Sequence, residues 1–176
     1  NEKSHKIHLG FREPSSVCDP STSYNEPVGD RVVVNPDSIS LEIPLTRSGA
    51  LAKGFFTGGC IGGMGVHHSL DLNSYGKPTW NHSSLMPFTP MYDETSGNLN
   101  AVLLQTSSLQ EGVPFVGDWE GPFVNSLLCQ NYCDSRCPKM LANSVGTAHL
   151  WNTCHFLFHD HSLNKCSTHC PFGYTG

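Results

Sequence analysis

The chain has few charged residues, because Asp, Glu, Lys and Arg make up 14% of its 176 residues, against roughly 25% in an average soluble protein. Its ten basic residues are scattered singly, and the formal net charge is -5. A nucleic-acid groove needs a concentrated stripe of Lys and Arg that displaces counterions, so the sequence predicts no nucleic-acid partner. No apolar run approaches the roughly 18 residues that span a bilayer, which predicts no membrane span.

Several common functional motifs are also absent. The glycine-rich segment 54–65 has neither the P-loop lysine nor the GxGxxG spacing, which favours a tight loop around Cys60 over a phosphate cradle. HExxH is missing, which excludes the commonest zinc-protease motif. The nearest match to the GxSxG motif of serine hydrolases is ANSVG at residues 142–146, and it lacks the first glycine.

Eight cysteines are present, and no two of them form a CxxC pair. Zinc and iron–sulfur sites usually need such pairs, so the spacing favours disulfides over metal ligation by thiolates. Disulfides persist in oxidising compartments, and we therefore predict a secreted, extracellular protein whose disulfide connectivity the sequence leaves open. The sequon Asn81-His82-Ser83 agrees with this route and makes Asn81 a candidate N-glycan acceptor.

Short alternating and β-branched runs predict a mainly β domain, an antiparallel sandwich or barrel-like fold stapled by disulfides, with one short helix and long loops. One domain is expected over residues 1–176, with an irregular segment 1–30 anchored by Cys18. Residues 39–45 alternate with period two and contain Pro44, which places that strand at a sheet edge.

Two further segments carry local signals. Residues 86–92 and 99–106 flank the turn sequence DETSGN, which predicts a β-hairpin. The single helix is expected to begin at Pro122, because proline is tolerated in a first helical turn, and the chain is expected to turn at Pro138.

Residues 147–158 carry the strongest functional signal. As a strand, this segment has mostly apolar residues at even positions, and its two histidines lie at odd positions, a parity that continues beyond it to His159 and His161. This register puts His149, His155, His159 and His161 on one face. A helix would instead bring His155 and His159 together, but it would scatter the apolar residues around its circumference, so the pattern favours a strand.

A second alternating segment, residues 66–72, adds two side chains to this set. His67 and Asp71 share one face, whereas His68 lies on the apolar side and is expected to be a satisfied core residue. Imidazole replaces thiolate as the donor for zinc or copper in an oxidising compartment. The predicted site for zinc or copper consists of His149, His155, His159, His161 and His67, with Asp71 as a further ligand or an orienting group.

The leading hypothesis is a secreted binding protein for a small ligand or a metal ion. A solvated polar face, or a patch that responds to pH because ten histidines would change the net charge from -5 to +5, would explain the same histidines. The tryptophans and the aromatic residues of the C-terminal region are expected either to line a ligand pocket or to belong to an ordinary hydrophobic core. A structural matrix or toxin-like protein is a further alternative, and the sequence does not decide between these classes or between a binding protein and an enzyme.

Two enzyme classes fit the residue types. Asp118 and Glu120 flank Trp119, an arrangement that could serve carboxylate-based glycoside hydrolysis. Copper-dependent redox chemistry would draw on imidazoles and a thioether. The residues available for it are His67, His68, His159, His161, Met64, Met86 and Met91.

Overall fold

A computed structural model describes residues 8–11, 19, 21, 32–35, 40–108, 120–146, 150–158, 160–167 and 170. These residues form a mainly β, antiparallel fold, as the sequence predicts. A small sheet has the order β1-β2-β3, made of β1 (His8–Gly10), β2 (Val32–Asn35) and β3 (Leu41–Ile43). The large sheet curls into half a barrel, and its order is β4-β5-β6-β7-β9-β8. Its strands are β4 (Phe56–Ile61), β5 (Gly65–Ser69), β6 (Phe88–Tyr92), β7 (Leu99–Ser108), β8 (Glu120–Val124) and β9 (Leu150–Leu157).

The described helices are short, and they outnumber the single helix that the sequence predicts. The α-helices are α1 (Arg47–Ala52), α2 (Asn125–Cys129) and α3 (Cys137–Val145), and 3-10 turns cover Gln130–Tyr132 and His161–Leu163. None of the described helices has the length and apolar character needed to cross a bilayer.

The two faces of the large sheet pack against different layers. One face meets the small sheet in a first core, where Val32, Val34 and Ile43 are fully buried. The other face meets α2, α3 and the intervening 3-10 turn in a second core. That second core contains Phe56, Trp80, Leu85, Leu128, Cys129, Tyr132, Cys137, Leu141 and Trp151. Burial on both sides follows from strands whose even and odd residues are both suited to packing.

Disulfides connect the C-terminal segment to the sheet and to the helical layer, and they connect two helices to each other. Cys129–Cys137 joins α2 to α3, Cys60–Cys166 ties β4 to the segment after β9, and Cys133–Cys170 adds a third bridge. The disulfide prediction is thus confirmed for these six cysteines. Cys18, the proposed anchor of residues 1–30, lies outside the described residues.

The strand predictions with period two hold. The hairpin consists of β6 and β7 in antiparallel register, and β3, which precedes Pro44, lies at the edge of its sheet. The histidine-rich segment forms β9, not a helix. Its even-numbered Cys154 and Phe156 pack against the first core, and its odd-numbered Trp151 packs in the second.

Three local predictions were wrong. The helix that was expected to begin at Pro122 begins at Asn125, and Pro122 lies in β8. This strand is at the edge of the sheet, and its register slips between Glu120 and Phe123. Proline fits there because no ladder hydrogen bond is lost. Pro138 does not turn the chain but lies in the first turn of α3.

The third correction concerns the glycine-rich segment, which was expected to be a loop. Residues 56–61 of it form β4. A Cβ at Gly58 would lie 2.6 Å from the carbonyl oxygen of Asn131, so glycine allows this strand to contact the 3-10 turn closely. The expected close backbone approach is therefore present, but within a strand.

Candidate ligand-binding cavity

A cavity of about 190 Å³ lies between the large sheet and α2. Its described lining is mostly apolar, and polar side chains join it from the sheet and from the turn after α2. The apolar lining residues are Ile61, Met64, Leu103, Phe123, Leu127 and Leu128. The polar ones are Glu120, Gln130, Asn131, Thr153 and His155.

Strand pairing brings the polar residues together. In β9, Thr153 and His155 are two positions apart and therefore point to the same face. His155 is paired with Leu103 of β7, and Thr153 is paired with Glu120 of β8. The register slip after Glu120 passes through Gly121, whose φ is +124° and where a Cβ would lie 2.7 Å from the carbonyl oxygen of Trp151. Glycine at this bulge therefore allows β8 to place Glu120 beside His155.

The helical side of the cavity is held by buried hydrogen bonds. Tyr132 donates from its hydroxyl group to Oε1 of Gln105 at 2.9 Å. Trp151 donates from Nε1 to Oδ1 of Asn125 at the start of α2. These bonds between the second layer and the sheet fix the turn that carries Gln130 and Asn131.

His155 and Glu120 form the ionisable pair of the cavity. Nδ1 of His155 lies 3.7 Å from Oε2 of Glu120, and the two side chains are 12% and 59% exposed. Burial lowers the pKa of His155, and the nearby carboxylate of Glu120 only partly opposes this effect. Nδ1 of His155 is buried and has no hydrogen-bond partner among the described residues.

His67 lies on the corresponding face of β5 and is fully buried. Its Nδ1 lies 3.2 Å from the carbonyl oxygen of Gly59 and 3.1 Å from that of Gly65. Carbonyl oxygens only accept hydrogen bonds, so Nδ1 carries the proton and Nε2 keeps a lone pair. This Nε2 is also buried without a partner among the described residues. Burial lowers the pKa of His67 to about 4, and the repulsion of a charge on His155 contributes in the same direction.

His68, the next residue, is a satisfied core residue as predicted. It is fully buried on the other face of β5. Its Nδ1 donates to the carbonyl oxygen of Val66, and its Nε2 contacts the hydroxyl group of Thr57, both at 3.2 Å. Its ring meets that of Tyr92 edge to face, with 5.1 Å between centroids. His67 and His68 therefore lie on opposite faces and cannot contribute together to a copper centre.

The structure brings two of the five predicted metal ligands to one side of the sheet, namely His67 and His155. His149 and His159 lie outside the described residues, and His161 is described only by its backbone in a 3-10 turn. Among the residues that the structure describes, no three His, Cys, Asp or Glu side chains are placed to hold a metal ion.

Asp71 has a different role from the expected one. Its Oδ2 accepts hydrogen bonds from the backbone N–H of Thr79 at 2.7 Å and from the Thr79 hydroxyl group. Its Oδ1 accepts from the N–H of Asn73 at 3.0 Å. These bonds lower the pKa of Asp71 against the effect of burial. The carboxylate therefore anchors the loop after β5, and no described contact joins it to His67.

The residues behind the enzyme hypotheses are distributed over separate regions. Asp118 and Trp119 lie outside the described residues. Met64 lines the cavity, Met91 packs near it with Leu103, and Met86 belongs to the first core. The association of Glu120 with His155 is not apparent in the sequence, because only the pairing of β8 with β9 creates it.

No protein-family model matches the chain, and neither the curated proteins nor the solved structures contain a significant match to it. The fold and the cavity therefore define only a class, a disulfide-linked β domain with a histidine-containing cavity.

Proposed function

We propose that this chain is an exported binding protein that holds a small ligand in the cavity between the large sheet and α2. The carrying observation is the buried Nδ1 of His155, which has no hydrogen-bond partner among the described residues and belongs to a cavity-lining side chain. An unsatisfied buried polar group costs about 1–3 kcal/mol, and a bound ligand with a donor group would recover that energy.

The size and lining of the cavity restrict the ligand. Its volume of about 190 Å³ is below the roughly 300–1,000 Å³ of pockets for drug-sized ligands. Apolar walls with a few convergent polar groups are typical of small-molecule sites. The ligand is accordingly small and mostly apolar, with at least one polar group directed at His155.

The extracellular location is part of the same proposal. It is supported by the three disulfides of the described residues, which are typical of oxidising compartments. Asn81, the acceptor of the sequon, is exposed, and its Oδ1 accepts a hydrogen bond from the N–H of Ser83 at 3.0 Å. An exposed turn of this kind is accessible to the glycosylation machinery, so we include an N-glycan at Asn81 in the proposal.

A zinc or copper site is the second candidate function, and one specific observation favours it. The Nδ1–H group of His67 is held by two backbone carbonyls, which is how metal-ligating histidines are commonly oriented. The lone pair of Nε2 is thereby directed into the protein interior. Tight binding of one zinc or copper ion that is lost in His67→Ala would support this function, and unchanged binding in His67→Ala would exclude His67 as a ligand.

The cavity proposal is tested with n-hexanol as a small apolar probe, by following methyl resonances in NMR spectra. Methyl groups of Ile61, Leu103 and Leu127 should shift on titration. Leu127→Trp should block binding, because Leu127 is 44% exposed and lines the cavity. Leu163→Trp is the matched control, since Leu163 is 72% exposed and is not among the lining residues. Shifts scattered over the surface, or equal binding in both variants, would contradict the proposal.

A further inference from the structure

The formal charge on the described lining of the cavity is negative only. Among the described residues that line it, Glu120 is the only formally charged one, and none is Lys or Arg. His155 does little to compensate this charge, because burial lowers its pKa and so disfavours the charged form of the ring. A negatively charged ligand would be repelled at this wall, and a positively charged one would be attracted.

The spacing of the two polar atoms adds a geometric requirement. Nδ1 of His155 and Oε2 of Glu120 lie 3.7 Å apart. In the tautomer that carries the ring proton on Nε2, Nδ1 of His155 is an acceptor like the carboxylate oxygen. Two acceptors at that separation can both lie about 2.9 Å from a single nitrogen, which is an ordinary hydrogen-bond distance. An ammonium group has three N–H donors and can donate to both atoms at once, whereas a hydroxyl group has one donor and must choose between them.

We propose that the ligand of this cavity is a small amphipathic primary amine. Its ammonium group lies between the carboxylate of Glu120 and Nδ1 of His155, and its apolar part lies against Leu103, Leu127 and Leu128. This inference rests on the proposed binding function and adds the chemical class of the ligand.

The arrangement also determines which end of the ligand enters first. Leu103 is almost completely buried, whereas Leu127 is 44% exposed and the side chain of Glu120 is 59% exposed. The apolar end therefore occupies the interior, and the ammonium group lies between the exposed carboxylate of Glu120 and the buried Nδ1 of His155. Partial hydration at the opening weakens the interaction with Glu120, so we expect the charge to improve affinity by about tenfold, the lower end of the range for hydrogen bonds to charged groups.

Three probes of matched length test the inference at pH 7 by calorimetric titration: n-hexylamine, n-hexanol and hexanoate. The wild-type protein should bind n-hexylamine about tenfold more tightly than n-hexanol, and hexanoate most weakly. Glu120→Gln should bring the affinity for the amine to that for the alcohol measured in the same variant. Glu42→Gln removes one exposed carboxylate from β3, outside the cavity, and should keep the preference for the amine.

The outcomes separate this inference from the binding function itself. Equal affinity for n-hexylamine and n-hexanol in the wild-type protein would overturn the amine class and leave the cavity as a binding site. A preference for the amine that persists in Glu120→Gln would overturn the assignment of the ammonium position and with it this inference. Failure of all three probes to bind would overturn both proposals.

Discussion

The buried imidazole of His68 should make the stability of the fold depend on pH. Burial lowers the pKa of His68 to about 4 in the folded chain, from an ordinary value of 6.5. Between these values the unfolded state binds one more proton at this residue than the folded state. The free energy of unfolding therefore decreases as the pH falls. The contribution is fully retained above the unfolded pKa and is lost progressively down to the folded one.

The magnitude follows from the two pKa values. One pKa unit corresponds to about 1.4 kcal/mol, so we expect His68 to remove about 3 kcal/mol of stability between pH 7 and pH 4. Solvent screening does not reduce this value, since the side chain is fully buried. The substitution His68→Gln keeps groups that can bond to Thr57 and to the carbonyl oxygen of Val66, but it cannot be protonated. It should cost stability at all pH values and eliminate this part of the pH dependence.

Urea-induced unfolding with the disulfides intact, measured from pH 7 to pH 4, provides the test. The wild-type protein should lose about 3 kcal/mol more than His68→Gln over this range. Tyr92→Phe is a suitable control, because it removes the hydrogen bond from the Tyr92 hydroxyl group to the carbonyl oxygen of Pro44 without changing a group that titrates in this range; burial raises the pKa of Tyr92 further. Parallel curves for the wild-type protein and His68→Gln would refute the reasoning.

Three further predictions concern backbone packing, disulfides and glycosylation. Gly58→Ala should destabilise the fold by about 1–3 kcal/mol in urea unfolding, because its Cβ would lie 2.6 Å from the carbonyl oxygen of Asn131; unchanged stability would contradict the described contact. Cys18 and Cys154 are the two cysteines outside the three described bridges, and we expect them to form a fourth disulfide. Alkylation of the unfolded, unreduced protein should therefore add no label. Two labels would disprove this disulfide. Secretory expression in a eukaryotic cell should add a glycan mass that Asn81→Gln removes, and equal masses would exclude the modification.

The sequence predicts elements whose pattern is local. The hairpin of β6 and β7 and the strand β9 are defined by alternation and by turn residues that lie within a few positions of one another. The start of α2 and the identity of β4 depend on tertiary contacts instead. Pro122 is compatible with a strand only because β8 is an edge strand, and Gly58 is needed because the chain from α2 passes close by. Neither relation can be read from neighbouring residues.

The candidate site likewise has one part that the local sequence pattern predicts and one part that depends on tertiary contacts. Alternation in β9 correctly predicts that the odd positions form one face, which includes His155. It does not predict that this face is covered by α2, because Leu127 and Leu128 belong to a helix that reaches β9 through tertiary contacts, such as the hydrogen bond from Trp151 to Asn125. A face with covered histidines can form a cavity, whereas an open one would be a solvated surface.

The adjacent residues His67 and His68 show that burial alone does not identify a functional histidine. Both are fully buried and both have a pKa lowered to about 4, so neither property separates them. Their hydrogen bonds do: both ring nitrogens of His68 have partners, whereas Nε2 of His67 has none among the described residues. Because an unsatisfied buried nitrogen is costly, its retention is better explained by a ligand than by stability. The same reasoning applies to His155, and because His155 also lines the cavity, it is the stronger candidate for direct contact with the ligand.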